Sequence, residues 1–159
     1  MGWPAYTVHM NSIVRCDFEP GIPYLLSDAP VFVRELLGST CAGFPSPAED
    51  LQERRINLNE QLVTHPQATF IIRVRGLSMV EAGIFDGDLI VVNRALKPKH
   101  GCIVVAVVEG EYTVKYLYQR PGKVRLKAAN PTFPDIEPKD GQTLEIWGVV
   151  TSAIKQFKY

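Results

Sequence analysis

Apolar and polar positions alternate through most of the chain from Thr69 onward, a period of two that belongs to half-buried strands. The segments read TFIIRVR at 69–75, DLIVVNR at 88–94, IVVAVV at 103–108, EYTVKYLY at 111–118, VRLKAA at 124–129 and LEIWGVVTSAI at 144–154. Turn signals separate them: Phe85-Asp86-Gly87-Asp88, His100-Gly101, Glu109-Gly110, Pro121-Gly122 and Asp140-Gly141. Glu109-Gly110 joins two of these runs closely enough for a tight hairpin. Short strands at this spacing predict a compact, mainly β domain of mostly antiparallel strands, all lying after Thr69. Just before it, Ile56, Leu58, Leu62 and Val63 fit one short helix over 56–65. Asn57 serves as its N-cap, Glu60 follows three residues later, and Pro66 ends it.

The front of the chain has another character. Residues 1–55 hold six of the twelve prolines, which remove backbone donors and fix φ, so an irregular N-terminal arm is expected. A short helix over 29–37 would use Val31, Val33, Leu36 and Leu37. Residues 38–43, Gly-Ser-Thr-Cys-Ala-Gly, are small and suit an exposed, extended, protease-accessible segment. Before Gly43 stand two basic residues, Arg15 and Arg34, against four acidic ones, Asp17, Glu19, Asp28 and Glu35. A short, slightly acidic, proline-broken segment is a poor DNA-reading helix-turn-helix.

Composition narrows the class. At 159 residues the chain suits one domain plus an arm, and 46% apolar content supports a core. Basic and acidic residues balance at 17 each, which disfavours a uniformly basic nucleic-acid binder. The longest aliphatic run, Ile103 to Val108, is far short of the roughly 20 residues of a spanning helix. No signal-peptide pattern opens the chain. Cys16, Cys41 and Cys102 are widely spaced and form no C-x-x-C pair, so neither a zinc site nor a disulfide framework is indicated. A reduced, cytoplasmic protein is expected.

Ser78, in Arg75-Gly76-Leu77-Ser78-Met79, follows a strong strand and stands before a Gly-containing loop. Its hydroxyl would be an ordinary turn group unless a base takes its proton. His9, His65 and His100 have no evident carboxylate partner, so a Ser-His-Asp triad has little support. Lys115 is the other candidate base. It shares a strand face with Thr113 and Leu117, while Tyr112, Val114, Tyr116 and Tyr118 line the opposite one. On periodicity alone it is a solvated lysine; it becomes a base only if apolar burial lowers its pKa. Asp86-Gly87-Asp88 reads as a turn rather than a cation site.

Four blocks carry a resemblance: Gly76-Leu77-Ser78-Met79, Gly83 to Leu89 (GIFDGDL), His100-Gly101-Cys102-Ile103-Val104 and Gly110 to Lys115 (GEYTVK). In this order and spacing they resemble the LexA-type serine peptidases, which include the LexA repressor, phage repressors and the UmuD mutagenesis proteins. Gly43 to Asp50 (GFPSPAED), Arg55 to Asn59 (RINLN) and Trp147-Gly148-Val149-Val150 resemble UmuD in detail. The likeness runs from about residue 40 to the end. It implies a LexA/UmuD-type peptidase domain at 43–159, preceded by an arm, 1–42, that self-cleavage removes. Ser78 is then the nucleophile, Lys115 the general base and Ala42-Gly43 the bond cut. Small residues on both sides of that bond suit a narrow cleft. In the chromosomal UmuD, cysteine directly precedes the glycine; here Cys41 sits one place earlier, and Ala42-Gly43 resembles LexA and plasmid-borne relatives. Residues 1–18 have no counterpart in that family.

The resemblance further implies an SOS-response protein stimulated by the RecA filament on single-stranded DNA. It implies a homodimer whose cut form serves a UmuC-like Y-family DNA polymerase in translesion synthesis, with no cofactor, no metal and no direct sequence-specific DNA binding. A LexA-like or phage-type self-cleaving repressor is the alternative; it would need a DNA-reading front. Membrane signal peptidases use related chemistry but need a membrane span.

Overall fold

The structure, a computed structural model, describes residues 24–25, 30–37, 52–138 and 143–157. Its elements are strands β1 (Tyr24–Leu25), β2 (Phe32–Leu37) and β3 (Gln52–Asn57), helix α1 (Leu58–Leu62), then strands β4 (Thr69–Arg73), β5 (Leu89–Asn93), β6 (Ile103–Val108), β7 (Glu111–Arg120), β8 (Lys123–Lys127) and β9 (Leu144–Ile154). Short 3-10 turns stand at Pro66–Ala68 and Val80–Ala82. Among the described residues the strands form a seven-stranded sheet in the order β1-β4-β5-β9-β6-β7-β8 and a two-stranded ribbon, β2-β3. All neighbours are antiparallel. The mainly β architecture with one short helix agrees with the expectation from alternation.

β9 sits in the middle of the large sheet and joins its two halves. It does so with two slips in register. Val105 pairs with Gly148 but Ala106 with Ile146, which leaves Trp147 as the extra residue; Thr151 is the extra residue opposite Val91 and Val92. Such bulges bend a strand and re-aim its side chains. Trp147 packs on Phe70 and edge-on to Tyr112, under the Arg94 guanidinium. Gly148 permits the close approach: a Cβ there would stand 2.7 Å from a Val92 methyl.

The core lies on both faces of the sheet, and β6 shows why. Successive side chains point to opposite faces. Val105 joins Met79, Ile84, Ile90, Val92 and Trp147, whereas Val104 and Ala106 join Leu117 and Leu126. β5 is buried at all five positions. The β6–β7 hairpin closes at Glu109-Gly110 with φ of 52° and 89°, between the pair Val108 and Glu111. Positive φ at both central residues is the primed turn that matches strand twist.

Three expectations are corrected. Residues 29–37 form no helix: Phe32–Leu37 is strand β2, in register with β3 from Phe32 opposite Asn57 to Leu37 opposite Gln52. Val31, Phe32 and Val33 disfavour helix at χ1. The alternating Arg34 and Glu35 instead find Glu53 and Arg54 across the ribbon, and Arg55 lies over the Phe32 ring. Two short strands, β1 and β2, are thus set in the arm, and strands do precede Thr69. Pro23 and Pro30 flank β1 and β2 rather than interrupt them. The helix expected over 56–65 is shorter, because Ile56 and Asn57 belong to β3 and the chain turns extended again at Val63. Asn57 caps it as expected, accepting from Asn59 N–H at 3.1 Å and donating to Glu60 at 2.9 Å. The extended segment 38–43 and the 42/43 boundary lie outside the described residues.

Candidate active site

Ser78 stands on the loop between β4 and β5, and local sequence holds it there. Val74 closes the base of the loop: its N–H donates to Asp88 O, and Gly87 N–H donates to Val74 O. Gly76 then turns the chain at a φ of 93°, a conformation glycine adopts without strain. Its N–H donates to the Asp86 carboxylate at 2.7 Å. On the other side Met79 is 2% exposed and anchors the segment in the core, followed by the turn Val80–Ala82. Ser78 is half-buried between these two fixed points.

The Asp86-Gly87-Asp88 carboxylates serve this loop. Asp88 accepts from Phe85 N–H at 2.9 Å and from Lys155 Nζ at 2.6 Å. Burial by itself would raise the Asp88 pKa. The Lys155 hydrogen bond, the Phe85 amide and the Lys155 charge together outweigh it and hold the carboxyl below its usual range.

Lys115 arrives from β7, 37 residues further along the chain. Its Nζ lies 2.7 Å from Ser78 Oγ, 3.0 Å from Thr113 Oγ1 and 3.1 Å from Val114 O, donating to each. The residue is 7% exposed, so it is not the solvated lysine of an outer face. Its strand face is covered at that position, beside Val104 and Leu117, so alternation alone does not make it an outer face. Burial pushes the Lys115 pKa down from its ordinary 10.5. Among the described residues no carboxylate pairs with it to restore the charge. A lysine so placed can populate the neutral amine, the form able to accept a proton from Oγ.

A cleft of ≈ 250 Å³ opens beside the serine, walled by Val74 and Gly76 on one side and Tyr112 and Val114 on the other. β8 pairs with β7 only from Tyr116 onward, so among the described strands nothing pairs with the outer edge of 111–115. An extended peptide fits such a place, since a free strand edge offers it backbone hydrogen bonds.

Of the residues singled out in the sequence, Ser78 and Lys115 are brought together. Ala42, Gly43 and His9 lie outside the described residues, as do Cys16 and Cys41. His65 bonds Thr64 and Asn93, and His100 accepts from Gln119 N–H and meets Tyr118 edge-on. Sequence reasoning gave no site role to two groups. Thr113 is read from the sequence only as a neighbour on the Lys115 strand face, and that spacing was a readable signal for a hydroxyl at the ammonium. Asn130 reads only as a turn residue, its side chain accepting from Thr132. Its long-range donation to Leu77 O, at 2.8 Å, leaves no local trace.

Comparison with known proteins shows the family. Residues 35–151 match the family model Peptidase S24-like. The chain is similar to Protein MucA of Salmonella typhimurium, 48% identical over 115 residues that cover 71% of this chain and 77% of that one. Protein ImpA of Salmonella typhimurium is 45% identical over 125 residues, 77% of this chain and 84% of its own. The LexA repressor of Dechloromonas aromatica is 40% identical over 121 residues, which cover 76% of this chain and 60% of the repressor. The serine-bearing loop, the strand lysine and the matched region coincide, and the chain belongs to the Peptidase S24-like family as a UmuD-like member of the LexA/UmuD group.

Proposed function

We propose that this protein cuts its own chain at Ala42-Gly43 and that the fragment 43–159 is its working form. The observation that carries this reading is the 2.7 Å approach of a buried, carboxylate-free lysine amine to the serine hydroxyl. Neutral Lys115 takes the Ser78 proton, and Oγ attacks the Ala42 carbonyl carbon. Backbone N–H groups around Ser78 and Met79 stabilise the oxyanion. The tetrahedral intermediate collapses, the C–N bond breaks, and the Lys115 ammonium gives its proton to the Gly43 amine. Lys115 then deprotonates a water that attacks the acyl-serine, which frees the Ala42 carboxylate and regenerates Oγ–H.

The family resemblance extends the proposal. The uncut protein is a cytoplasmic homodimer in the SOS response. The RecA filament on single-stranded DNA favours the conformation with the arm in the cleft and adds no catalytic group. The fragment then acts as an accessory subunit of a UmuC-like Y-family polymerase in translesion synthesis. Membrane work is not part of this reading, and no helix among the described residues is long and apolar enough to cross a membrane. A self-cleaving repressor shares the chemistry, and the likeness to LexA favours it. The acidic, proline-broken stretch before Gly43 argues against it.

The test compares polymerase binding and lesion bypass by intact Ser78→Ala protein and by a recombinant 43–159 fragment. The proposal expects the fragment to bind and to support bypass at least tenfold better. Equal behaviour would mean that the arm is no switch.

A further inference from the structure

We propose that Asn130 is a positioning residue for self-cleavage: its side-chain amide holds the Leu77 carbonyl and so aims the Ser78 N–H as an oxyanion donor. The inference rests on Ser78 being the nucleophile. The loop that carries Ser78 is gripped from one side by Ala129 and Asn130. Ala129 N–H donates to Ser78 O at 2.8 Å, Glu81 N–H donates to Ala129 O at 2.9 Å, and Asn130 Nδ2 donates to Leu77 O at 2.8 Å. The amide orientation of Asn130 is fixed by its surroundings. Oδ1 accepts from Thr132 N–H at 3.0 Å and from Thr132 Oγ1 at 2.8 Å, which leaves Nδ2 to face the carbonyl.

A trans peptide is planar, and its C=O and N–H point to opposite sides. No peptide among the described residues is cis. Fixing Leu77 O towards Asn130 therefore fixes Ser78 N–H away from it. Fixing Ser78 O towards Ala129 does the same for Met79 N–H. The two amides that flank the nucleophile are thus set by two donors on a single segment, Ala129 N–H and Asn130 Nδ2, which hold the carbonyls of the same peptides. An oxyanion donor is effective only when aimed in advance at the place where charge develops. The Asn130 side chain is the donor that reaches Leu77 O.

The experiment measures self-cleavage of the full chain from pH 7 to 10 for wild type, Asn130→Ala, Asn130→Asp and Ser78→Ala, with thermal unfolding alongside. Asn130→Asp matters because it keeps the size of the side chain and the acceptor for Thr132 while removing the donor. The expected result is a rate at pH 10 lowered by about 10- to 100-fold in both Asn130 variants, from the mis-aimed donor. For Asn130→Ala, which adds no charge, the pH dependence should keep the wild-type midpoint and the unfolding temperature should hold. Rates within twofold of wild type in both would overturn the proposal. So would a midpoint displaced towards 10.5 in Asn130→Ala, which would mean that the loop had loosened and wetted Lys115. Cleavage surviving in Ser78→Ala would overturn the nucleophile assignment itself, and the proposal with it.

Discussion

Lys115 Nζ and Ser78 Oγ stand 2.7 Å apart across 37 residues of sequence, and no carboxylate among the described residues is paired with the amine. The proposed role of the lysine needs its neutral form, able to accept a proton, and not merely a fixed positive charge. Lys115→Arg separates these two properties. It keeps the cation, but a guanidinium stays protonated at any pH the protein survives. Self-cleavage should fall by about 10²- to 10⁴-fold, the usual contribution of a general base, in both Lys115→Arg and Lys115→Ala. Rates are read from intact mass against time. An active arginine variant would contradict a proton-accepting role.

The lowered Lys115 pKa has consequences of definite sign for rate and for stability. Cleavage should quicken as pH rises through the folded value, which lies below 10.5, because the neutral amine is the reactive form. Between the folded value and 10.5 the unfolded chain binds more protons at this site than the folded one. The stability contribution of Lys115 therefore rises with pH across that window and is at its worst below it. Lys115→Met, similar in length and free of charge, should be more stable than wild type at pH 7 by about 1–2 kcal/mol, a common gain when a functional site is relieved. The gap should narrow towards pH 10.5. Urea titrations at pH 7 and pH 10 check this, and a less stable methionine variant at pH 7 would refute it.

Arm release follows from the ribbon. A cut at Ala42-Gly43 would leave β2 on one product and β3 on the other. The ribbon is held by two exposed ion pairs, Arg34–Glu53 and Arg54–Glu35, and by Arg55 over Phe32, while Phe32, Leu36 and Leu37 stay exposed. Exposed contacts of this kind are worth about 0–1 kcal/mol each. Micromolar affinity requires about 8.2 kcal/mol, and a lone two-stranded ribbon is marginal even when tethered. Among the described residues the arm adds to this ribbon the Leu58 N–H to Val31 O bond and the two-residue pairing of β1 with β4, both small, so the freed 1–42 fragment should dissociate at micromolar concentration without help. Native mass spectrometry of the cut sample should show 43–159 species lacking the arm. A persistent complex would show that the arm buries more than the described ribbon does.

Packing at the β9 bulge gives a prediction independent of catalysis. A methyl added in Gly148→Ala would meet Val92 Cγ1 at 2.7 Å and the Arg94 side chain at 3.3 Å. Val92 is fully buried and has little room to move. Overpacking of this kind costs about 1–3 kcal/mol. Chemical denaturation should show the loss. An unchanged midpoint would mean that the bulge adjusts freely.

Much of this fold was legible because alternation is a local property. Ile103–Val108 and Leu144–Ile154 were read to their ends, and Glu109-Gly110 announced its turn. The misreading of 29–37 has a physical cause: β2 takes its pairing from β3, beyond a connection of 14 residues, and no local period of Phe32–Leu37 reports that partner. Lys115 was ambiguous for a similar reason. Its strand shows alternation, but which face meets a core depends on Val104 and Leu126, which arrive from other strands. The blocks around Ser78 and Lys115 were recognisable as a resemblance, while their 2.7 Å contact is a product of sheet order. Asn130 was illegible as part of the site because its acceptor, Leu77 O, lies 53 residues away.

The most direct test of the account is the identity of the self-cleavage product. Purified wild type and Ser78→Ala are incubated at pH 10 without other proteins, both verified as folded, and their intact masses and new N-termini are determined. The account predicts that wild type yields a fragment beginning at Gly43 and its complement ending at Ala42, and that Ser78→Ala yields neither. A new N-terminus elsewhere in the wild type, or the same fragments from Ser78→Ala, would contradict it.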